Sequence, residues 1–376
     1  MFHYSFSTVM MAVITSNLII VLIALCFRHK KLLLSMGYRL LIVFLLLTLV
    51  RFMFPLELKL ATEVRFPKFL SLIITYVRHI FVYFHGIPIS MWTIFECIWL
   101  IGIAYKLYFH VHECASAERF LILNSIDITE QEPYAAALAE ACGGRKNHFR
   151  ILKVPDLPMP CLYGIRHPRI LLPMAGELTG TDLYYTLRHE ISHHYHHDLV
   201  IKQIVNFLSI VYWWNPACLI LKSQVNLLLE MRVDDTLVKG NSEVARAYLE
   251  TLINIAESST EHSSLPVGLM VSLTHKDAGV LSRRFEMICY RKDYASPPVT
   301  IALSALIFAM YLGSYLFTLE SYYFIDDGVE ETFDNTDSIM YAVPREDGTY
   351  DIYMGDLLME NADSLEYYQG ITIYVQ

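Results

Sequence analysis

The sequence contains no CxxC pair and no regular cysteine framework, which excludes a zinc ribbon and a disulfide-rich secreted domain. Its seven cysteines lie scattered at positions 26, 97, 114, 142, 161, 218 and 289, so isolated reduced thiols are the simplest interpretation. Charge is also scarce, at 18% of residues, against 55% hydrophobic residues and a mean hydropathy of +0.38. A chain of 376 residues this apolar is not an ordinary soluble protein, and membrane insertion is favoured.

Basic residues are almost absent after position 319. Residues 320–376 hold 14 acidic residues and one base, Arg345, whereas residues 1–319 hold 28 bases and 24 acids. A basic-leaning body and an acidic tail indicate opposite sides of a membrane. Because the bases lie mostly beside apolar segments, nothing indicates direct nucleic-acid binding.

Four apolar stretches, at about 9–27, 40–56, 86–109 and 298–319, are each close to the roughly 20 residues that a helix needs to cross a bilayer. The first has no basic region before it and no small-residue cleavage site after it, so it is interpreted as an anchor. Arg28, Lys30, Lys31 and Arg39 crowd behind it and place that loop in the cytoplasm. Residues 110–297 are then expected inside, with the N-terminus and residues 320–376 outside the plasma membrane.

The cytoplasmic segment has the pattern of an α+β domain. Helices are predicted from Pro133 to Gly143, from about residue 181 through the histidine-rich stretch, from Asn215 to about Val238, and over 242–258. Strands are predicted over 148–154 and 169–173. The tail alternates well enough for a small β unit, although its acidity is equally typical of a partly disordered stalk.

The stretch "RHEISHHYHHD" (188–198) places five histidines in eleven positions. His189, Glu190 and His193 form HExxH, whose i, i+4 spacing puts both imidazoles on one helical face, within reach of one Zn²⁺ ion. Glu190 would then reach a water molecule beside the metal and accept its proton. His194, His196 and His197 have no glutamate in the useful place and are interpreted as surface or supporting residues.

A third ligand is predicted on the next helix, where Glu230 and Asp234 are i, i+4 neighbours. Glu230 would complete a His₂Glu set, and Asp234 would hold the second N–H of a ligand imidazole. The alternative for this pair is a solvated acidic face. Residues 200–221 are apolar enough for a fifth span, but a crossing would separate Glu230 from the histidines. They are therefore predicted to form a buried core helix or to dip into the cytoplasmic face, with Trp213 and Trp214 near the interface.

Several segments occur in the order found in one family: "PCLYGIRHPRILLP" (160–173), "LRHEISH" (187–193), Asp198, "WWNP" (213–216), "LEMRVDDTLV" (229–238), "AYLETLINIA" (247–256) and "LSRRFEMI" (281–288). With three predicted spans before them and one after, residues 1–320 resemble the BlaR/MecR-type antirepressor membrane metallopeptidases. The founding members sense β-lactams through a penicillin-binding domain with a Ser-x-x-Lys nucleophile. Residues 320–376 contain no Ser-x-x-Lys, so β-lactam acylation is not expected of this chain.

The resemblance implies one zinc ion per chain, held by His189, His193 and Glu230, with Glu190 as general base and with Asp198 and Asp234 supporting. It also implies a cytoplasmic winged-helix repressor of the BlaI/MecI type as substrate. Some family members cut themselves. The fold class expected is thus an α-helical integral membrane protein with four transmembrane helices, a cytoplasmic α+β gluzincin-like zinc peptidase domain (110–297) and a small extracellular, β-rich or stalk-like tail (320–376). A homodimer is left open.

Two other functions are weighed against this one: a housekeeping membrane metalloprotease of the HtpX kind, and a non-catalytic membrane receptor. The segments at 160–173 and 213–216 favour the antirepressor type, and the intact ligand set argues against a receptor. The pair Arg283 and Arg284 is interpreted either as a self-cleavage site or as a basic flank of the last span. Three tyrosines are candidates by residue type alone for stabilising an oxyanion: Tyr184, Tyr185 and Tyr195.

Overall fold

The computed structural model describes residues 6–56, 61–65, 77, 80–84, 87–145, 148–258, 278–290, 297–320, 340–345, 349–354, 357–362 and 372–373. The chain divides into two compact units, Met1–Tyr322 and Tyr323–Gln376. The described helices are α1 (Phe6–Arg28), α2 (Lys30–Met53), α3 (Met91–Asn124), α4 (Tyr134–Cys142), α5 (Gly180–Tyr195), α6 (Asp198–Val211), α7 (Ala217–Val238), α8 (Ser242–Ser258), α9 (Ala278–Tyr290) and α10 (Pro297–Leu316). The described strands are β1 (Thr62–Arg65), β2 (Ile80–Phe84), β3 (Ile87–Ser90), β4 (Ile126–Asp127), β5 (Arg150–Val154), β6 (Cys161–Tyr163), β7 (Arg169–Pro173), β8 (Phe317–Glu320), β9 (Met340–Pro344), β10 (Tyr350–Met354), β11 (Leu357–Ala362) and β12 (Thr372–Ile373).

Four helices, α1, α2, α3 and α10, are long and apolar enough to cross a membrane by length and composition. They correspond to the four apolar stretches of the sequence. The first and last match the predicted bounds closely. The other two differ from the predicted bounds, each for a local reason.

The second apolar helix begins earlier than predicted, at Lys30 rather than near residue 40. Gly37 interrupts it with φ 69° and ψ 159°, a conformation that favours glycine, so a short basic segment precedes the apolar run from Tyr38. The third begins later and continues further. Residues 87–90 form β3, and Ser90 caps α3 by accepting from the Thr93 amide at 3.2 Å. Helix α3 then runs through the predicted domain boundary at 109/110 as far as Asn124.

Helices α6 and α7 form a hairpin that packs among the candidate spans. The predicted fifth apolar segment is broken at Tyr212–Pro216, as expected from Asn215 and Pro216. Tyr212 donates to the Phe52 carbonyl at 3.1 Å, and Asn215 donates to the Asn17 side chain at 2.9 Å. One face of the segment is buried among the candidate spans, through residues such as Val205, Leu208 and Leu221. The hairpin tip lies at the end of α2 opposite Lys30, and the side of the membrane on which Trp213 and Trp214 lie stays a prediction.

A four-stranded sheet, ordered β4-β5-β7-β6, supports the histidine-bearing helix. Strands β5 and β7 are parallel, and β6 pairs antiparallel with β7. Successive residues of β5 and β7 point to opposite faces of the sheet, and each face is part of a different core. One core lies against α4 and α5, and the other lies against the end of α3. Arg169 of β7 holds that end through a two-point contact with Glu118, at 2.9 and 2.6 Å.

The described part of the second unit is a sheet with strand order β11-β10-β9-β12. Its central strands pair antiparallel, and β12 pairs parallel with β9. This agrees with the alternation of residue types in the tail. The expected elements of the 110–297 segment are also present, including α4 between Pro133 and Gly143 and the strands at 150–154 and 169–173.

Candidate metal centre

Helix α5 presents two faces with different chemistry. Leu183, Leu187 and Ile191, spaced four residues apart, are at most 3% exposed and pack against the sheet and α4. His189 and His193 lie on another face, one turn apart, and point towards α7. The apolar stripe therefore fixes the rotation of the helix, and that rotation aims both imidazoles at Glu230.

The ligating atoms of His189, His193 and Glu230 converge. His189 Nε2 lies 3.1 Å from His193 Nε2 and 3.2 Å from Glu230 Oε2, while His193 Nε2 lies 3.3 Å from Glu230 Oε1. In the described part of the chain these three residues are the group placed to hold a metal ion. Glu230 is 2% exposed, so the alternative of a solvated acidic face is wrong.

These separations fit a tetrahedral ion. Metal–ligand bonds of about 2.0–2.1 Å at tetrahedral angles place neighbouring ligand atoms roughly 3.3–3.4 Å apart, close to the distances observed. The donor set of two imidazoles and one carboxylate is that of catalytic zinc sites, which keep a position open. The residues present therefore fit zinc.

The outer nitrogen of His193 is held by Asp198, the first residue of α6. His193 Nδ1 lies 2.6 Å from Asp198 Oδ2, and Arg232 donates to the other carboxylate oxygen of Asp198. Asp198 is fully buried. Because Asp198 accepts the Nδ1 proton, the Nε2 lone pair of His193 faces the convergence point, as a metal ligand requires.

The outer nitrogen of His189 is held differently from the prediction. Asp234 lies 3.9 Å from His189 Nδ1, too far for the predicted hydrogen bond. The Tyr248 hydroxyl stands between them, 2.8 Å from His189 Nδ1 and donating to Asp234 Oδ1 at 2.6 Å. Since its one proton goes to Asp234, Tyr248 accepts from His189 Nδ1–H and leaves Nε2 free. Asp234 thus orients His189 through Tyr248.

The centre carries an excess of negative charge. The buried carboxylates of Asp198, Glu230 and Asp234 contact the guanidinium groups of Arg232 and Arg284, and the buried carboxylate of Glu190 adds a further negative charge. Burial lowers the pKa of His193, but Glu230 and Asp198 raise it more, to about 10. Burial and Asp234 hold the pKa of Tyr248 well above its usual value, so this hydroxyl keeps its proton. The raised pKa of His193 indicates that positive charge is favoured beside Glu230 and Asp198.

A cavity opens beside the three ligands, between β6 of the sheet and helices α8 and α9. Glu190 lines it together with His189 and His193. The opposite wall is apolar and includes Leu252, Ile255, Val280 and Leu281. Glu190 is 8% exposed, and its side chain lines this cavity next to the ligands.

The other histidines and the three tyrosine candidates lie outside the ligand group. His194 packs edge-on against Phe149, and none of His194, His196 and His197 belongs to the ligand group. Of the three tyrosine candidates, Tyr185 lines the cavity, while Tyr184 contacts Arg188 and Tyr195 packs under Arg145.

Comparison with known proteins identifies the chain. Residues 6–288 match the family model described as BlaR1 peptidase M56. The chain belongs to the BlaR1 peptidase M56 family. The regulatory protein BlaR1 of Bacillus licheniformis is 23% identical over 226 residues, 59% of this chain and 36% of that protein. The methicillin resistance mecR1 proteins of Staphylococcus aureus and Staphylococcus epidermidis are each 27% identical over 120 residues, 31% of this chain and 20% of theirs. The chain thus spans about a third or less of the length of these relatives.

Two residues of this M56 centre are missed by sequence reasoning. Tyr248 lies in the family-like segment 247–256 without any sign of a role there. Arg284 is interpreted as a cleavage site or a basic flank, yet it is 6% exposed and contacts Glu230 and Asp234. The bond between Arg283 and Arg284 lies within α9, so self-cleavage there would require this helix to unfold locally, and it stays a prediction.

Replacing Asp198 in this chain of the M56 family tests its role as the partner of His193. Asp198→Asn is expected to weaken zinc binding by roughly 10- to 100-fold, because an amide holds the His193 Nδ1 proton less strongly than a carboxylate. Competition with a chelator of known affinity measures the change in full-length protein. Asp127→Asn, at the opposite edge of the sheet from β6, is the matched control and should bind zinc as the wild type does. Equal zinc affinity in both variants would contradict the assignment.

Proposed function

We propose that this chain is a membrane-bound zinc endopeptidase that transmits a signal by cutting a cytoplasmic protein. The observation that carries the proposal is the buried convergence of His189, His193 and Glu230 beside Glu190, in a chain of the M56 peptidase family. Family membership supports peptidase chemistry. The ligand set and the flanking carboxylate supply the groups that this chemistry needs.

The membrane arrangement is part of the proposal. We place α1, α2, α3 and α10 across the bilayer, the peptidase region in the cytoplasm, and both chain ends outside. Basic residues at the start of α2 and beside α9 support this orientation. The peptidase region would have the gluzincin-like fold that the resemblance implies.

Each residue of the centre has a chemical task in peptide hydrolysis. Zinc, when bound, supplies Lewis-acid polarisation of a carbonyl and lowers the pKa of water. His189, His193 and Glu230 hold it, and Tyr248 and Asp198 fix the imidazoles so that both Nε2 atoms point inward. Glu190 accepts the proton of the attacking water and returns it to the departing amine. The apolar wall of α8 and α9 receives a substrate side chain and excludes bulk water.

The substrate class is proposed from the relatives. The matched proteins are a regulatory protein and methicillin resistance proteins. Because the sequence also resembles the antirepressor type, we propose a cytoplasmic winged-helix repressor as the substrate, with a signal that arrives from outside the cell or from the membrane. The Bacillus relative is matched over 36% of its length, so the proposal includes no particular signal molecule.

The test combines metal analysis with cleavage. Detergent-purified full-length protein is expected to hold about one zinc ion per chain. Winged-helix repressors of the same organism, incubated with wild type and with Glu190→Gln, are then analysed by mass spectrometry. A cut that requires Glu190 supports the proposal. Absence of zinc from the wild type would overturn the peptidase, whereas zinc with cleavage of casein and of no repressor would overturn the substrate class.

A further inference from the structure

Helix α9 joins the metal centre to the last candidate span. It ends at Tyr290, and α10 begins at Pro297. Its N-terminal half packs beside α7, and its C-terminal half contacts the start of α2, where Lys30 pairs with Glu286 at 3.1 Å and lies over the Tyr290 ring. The helix is therefore docked from two sides.

Arg284 lies on the buried face of this helix. Val280 and Met287, one turn away on either side, belong to the apolar core formed with α2 and α7. A basic flank of a membrane span would point to solvent or lipid headgroups, but Arg284 is 6% exposed. A buried guanidinium on an apolar face needs polar partners, and the metal centre supplies them.

The Arg284 guanidinium contacts three groups of the centre. It donates from Nε and Nη2 to the two oxygens of Asp234, at 2.8 and 2.7 Å, and from Nη2 to the Tyr248 hydroxyl at 3.0 Å. Its Nη1 lies 3.4 Å from Glu230 Oε2. One side chain thus touches a metal ligand and both residues that orient His189.

The Arg284 guanidinium offsets the negative charges of Glu230 and Asp234. Glu230 and Asp234 lie one turn apart on α7, both buried, and their like charges repel at this spacing. A planar guanidinium can bridge two carboxylates at once, which a single ammonium group cannot do with the same geometry. Removing it would leave two buried carboxylates with less compensation and would take away one of the contacts that hold Glu230 towards the histidines.

We propose that Arg284 is a positioning residue of the metal centre, so that the His189–His193–Glu230 site is complete only while α9 is docked. The inference rests on the proposed zinc site and goes beyond it. It makes the ligand geometry depend on the helix that precedes the last span. Movement of α10 that withdraws α9 would release Glu230, and zinc binding would in turn hold α9 in place.

Zinc affinity of full-length variants tests the role of the side chain. Arg284→Gln is expected to lower the affinity by roughly 10- to 100-fold, and Arg284→Lys by less, because lysine restores the charge without the fork. Arg283→Gln is the matched control, since Arg283 is half-buried on the same helix, and it should bind as the wild type does. Cobalt substituted for zinc gives an absorption spectrum that should change in Arg284→Gln and remain unchanged in Arg283→Gln.

Hydrogen exchange tests the coupling on the wild type, where folding of a variant is not in question. Adding zinc to metal-free protein is expected to slow amide exchange in Ala278–Tyr290 and to leave Tyr134–Cys142 unchanged. Equal exchange of α9 with and without zinc, or equal zinc affinity of wild type and Arg284→Gln, would overturn this inference alone. A wild type that binds no zinc would instead overturn the proposed function.

Discussion

Glu190→Gln is expected to lower the rate of peptide cleavage by roughly 10²- to 10⁴-fold, the usual contribution of a general base. Glutamine keeps the size of the side chain in the cavity beside His189 and His193 but cannot accept a proton. Zinc content should stay at the wild-type level, because Glu190 is not among the three converging ligands. Cleavage rates at saturating substrate, compared with zinc content on the same preparations, measure both effects.

The control for this variant is Glu250→Gln. Glu250 is an exposed glutamate of α8 that pairs with Arg246 on the helix surface, so its replacement should leave the rate unchanged. A Glu190→Gln protein that cleaves within a few-fold of the wild type would show that another group takes the proton. Loss of zinc from Glu190→Gln would mean that this carboxylate binds the metal.

Glu230→Ala is expected to lose zinc, with the affinity falling on the order of 100- to 1000-fold if each protein ligand contributes a comparable share of the binding free energy. The same change leaves Arg284 with one fewer carboxylate in a buried site. Zinc should raise the melting temperature of the wild type by linkage, while Glu230→Ala should show little or no rise over the same concentrations.

Glu243→Ala serves as the comparison, because Glu243 is exposed in the first turn of α8. It should retain both zinc and the zinc-dependent rise in melting temperature. Zinc bound equally by Glu230→Ala and Glu243→Ala would remove Glu230 from the ligand set and leave a two-histidine site. The melting temperatures of the wild type and Glu230→Ala are also compared in metal-free buffer. Equal values would show that the variant has lost a zinc ligand and not its fold.

The centre is predictable from sequence where its residues share a helix. HExxH fixes His189, Glu190 and His193 because a turn of helix brings i and i+4 together. The pairing of Glu230 with Asp234 follows from the same spacing. The connection between the two helices is not local. Glu230 is linked to the histidines by the requirement for a third ligand and by the resemblance of residues 229–238 to the family's segment.

Tyr248 and Arg284 are missed because they lie on two further helices and meet the centre only in the folded chain. Arg284 does leave a trace in the sequence, since it falls on the apolar stripe that Val280 and Met287 define. An arginine on such a stripe needs a buried partner. The direct contact predicted between Asp234 and His189 fails for the same reason, as the intervening hydroxyl comes from a distant helix.

The bounds of the apolar helices are likewise predicted only in part from the sequence. Length and hydropathy locate α1 and α10 to within a few residues. They do not show the break at Gly37, nor the continuation of α3 beyond residue 109, which depends on contacts made after folding. The bidentate Arg169–Glu118 contact, between a strand and the end of α3, is an example of such a contact.

The α6–α7 hairpin has a consequence for how the chain is made in the cell. During membrane insertion, residues 200–221 are apolar enough to be taken for a complete crossing, which would carry Glu230 to the opposite side from His189 and His193. In the folded chain Asn215 and Tyr212 anchor the hairpin tip to Asn17 and Phe52, and α7 returns to the starting side. If the site holds zinc as proposed, all three ligands can meet only in molecules whose hairpin has turned back, so misinserted molecules are expected to lack the metal.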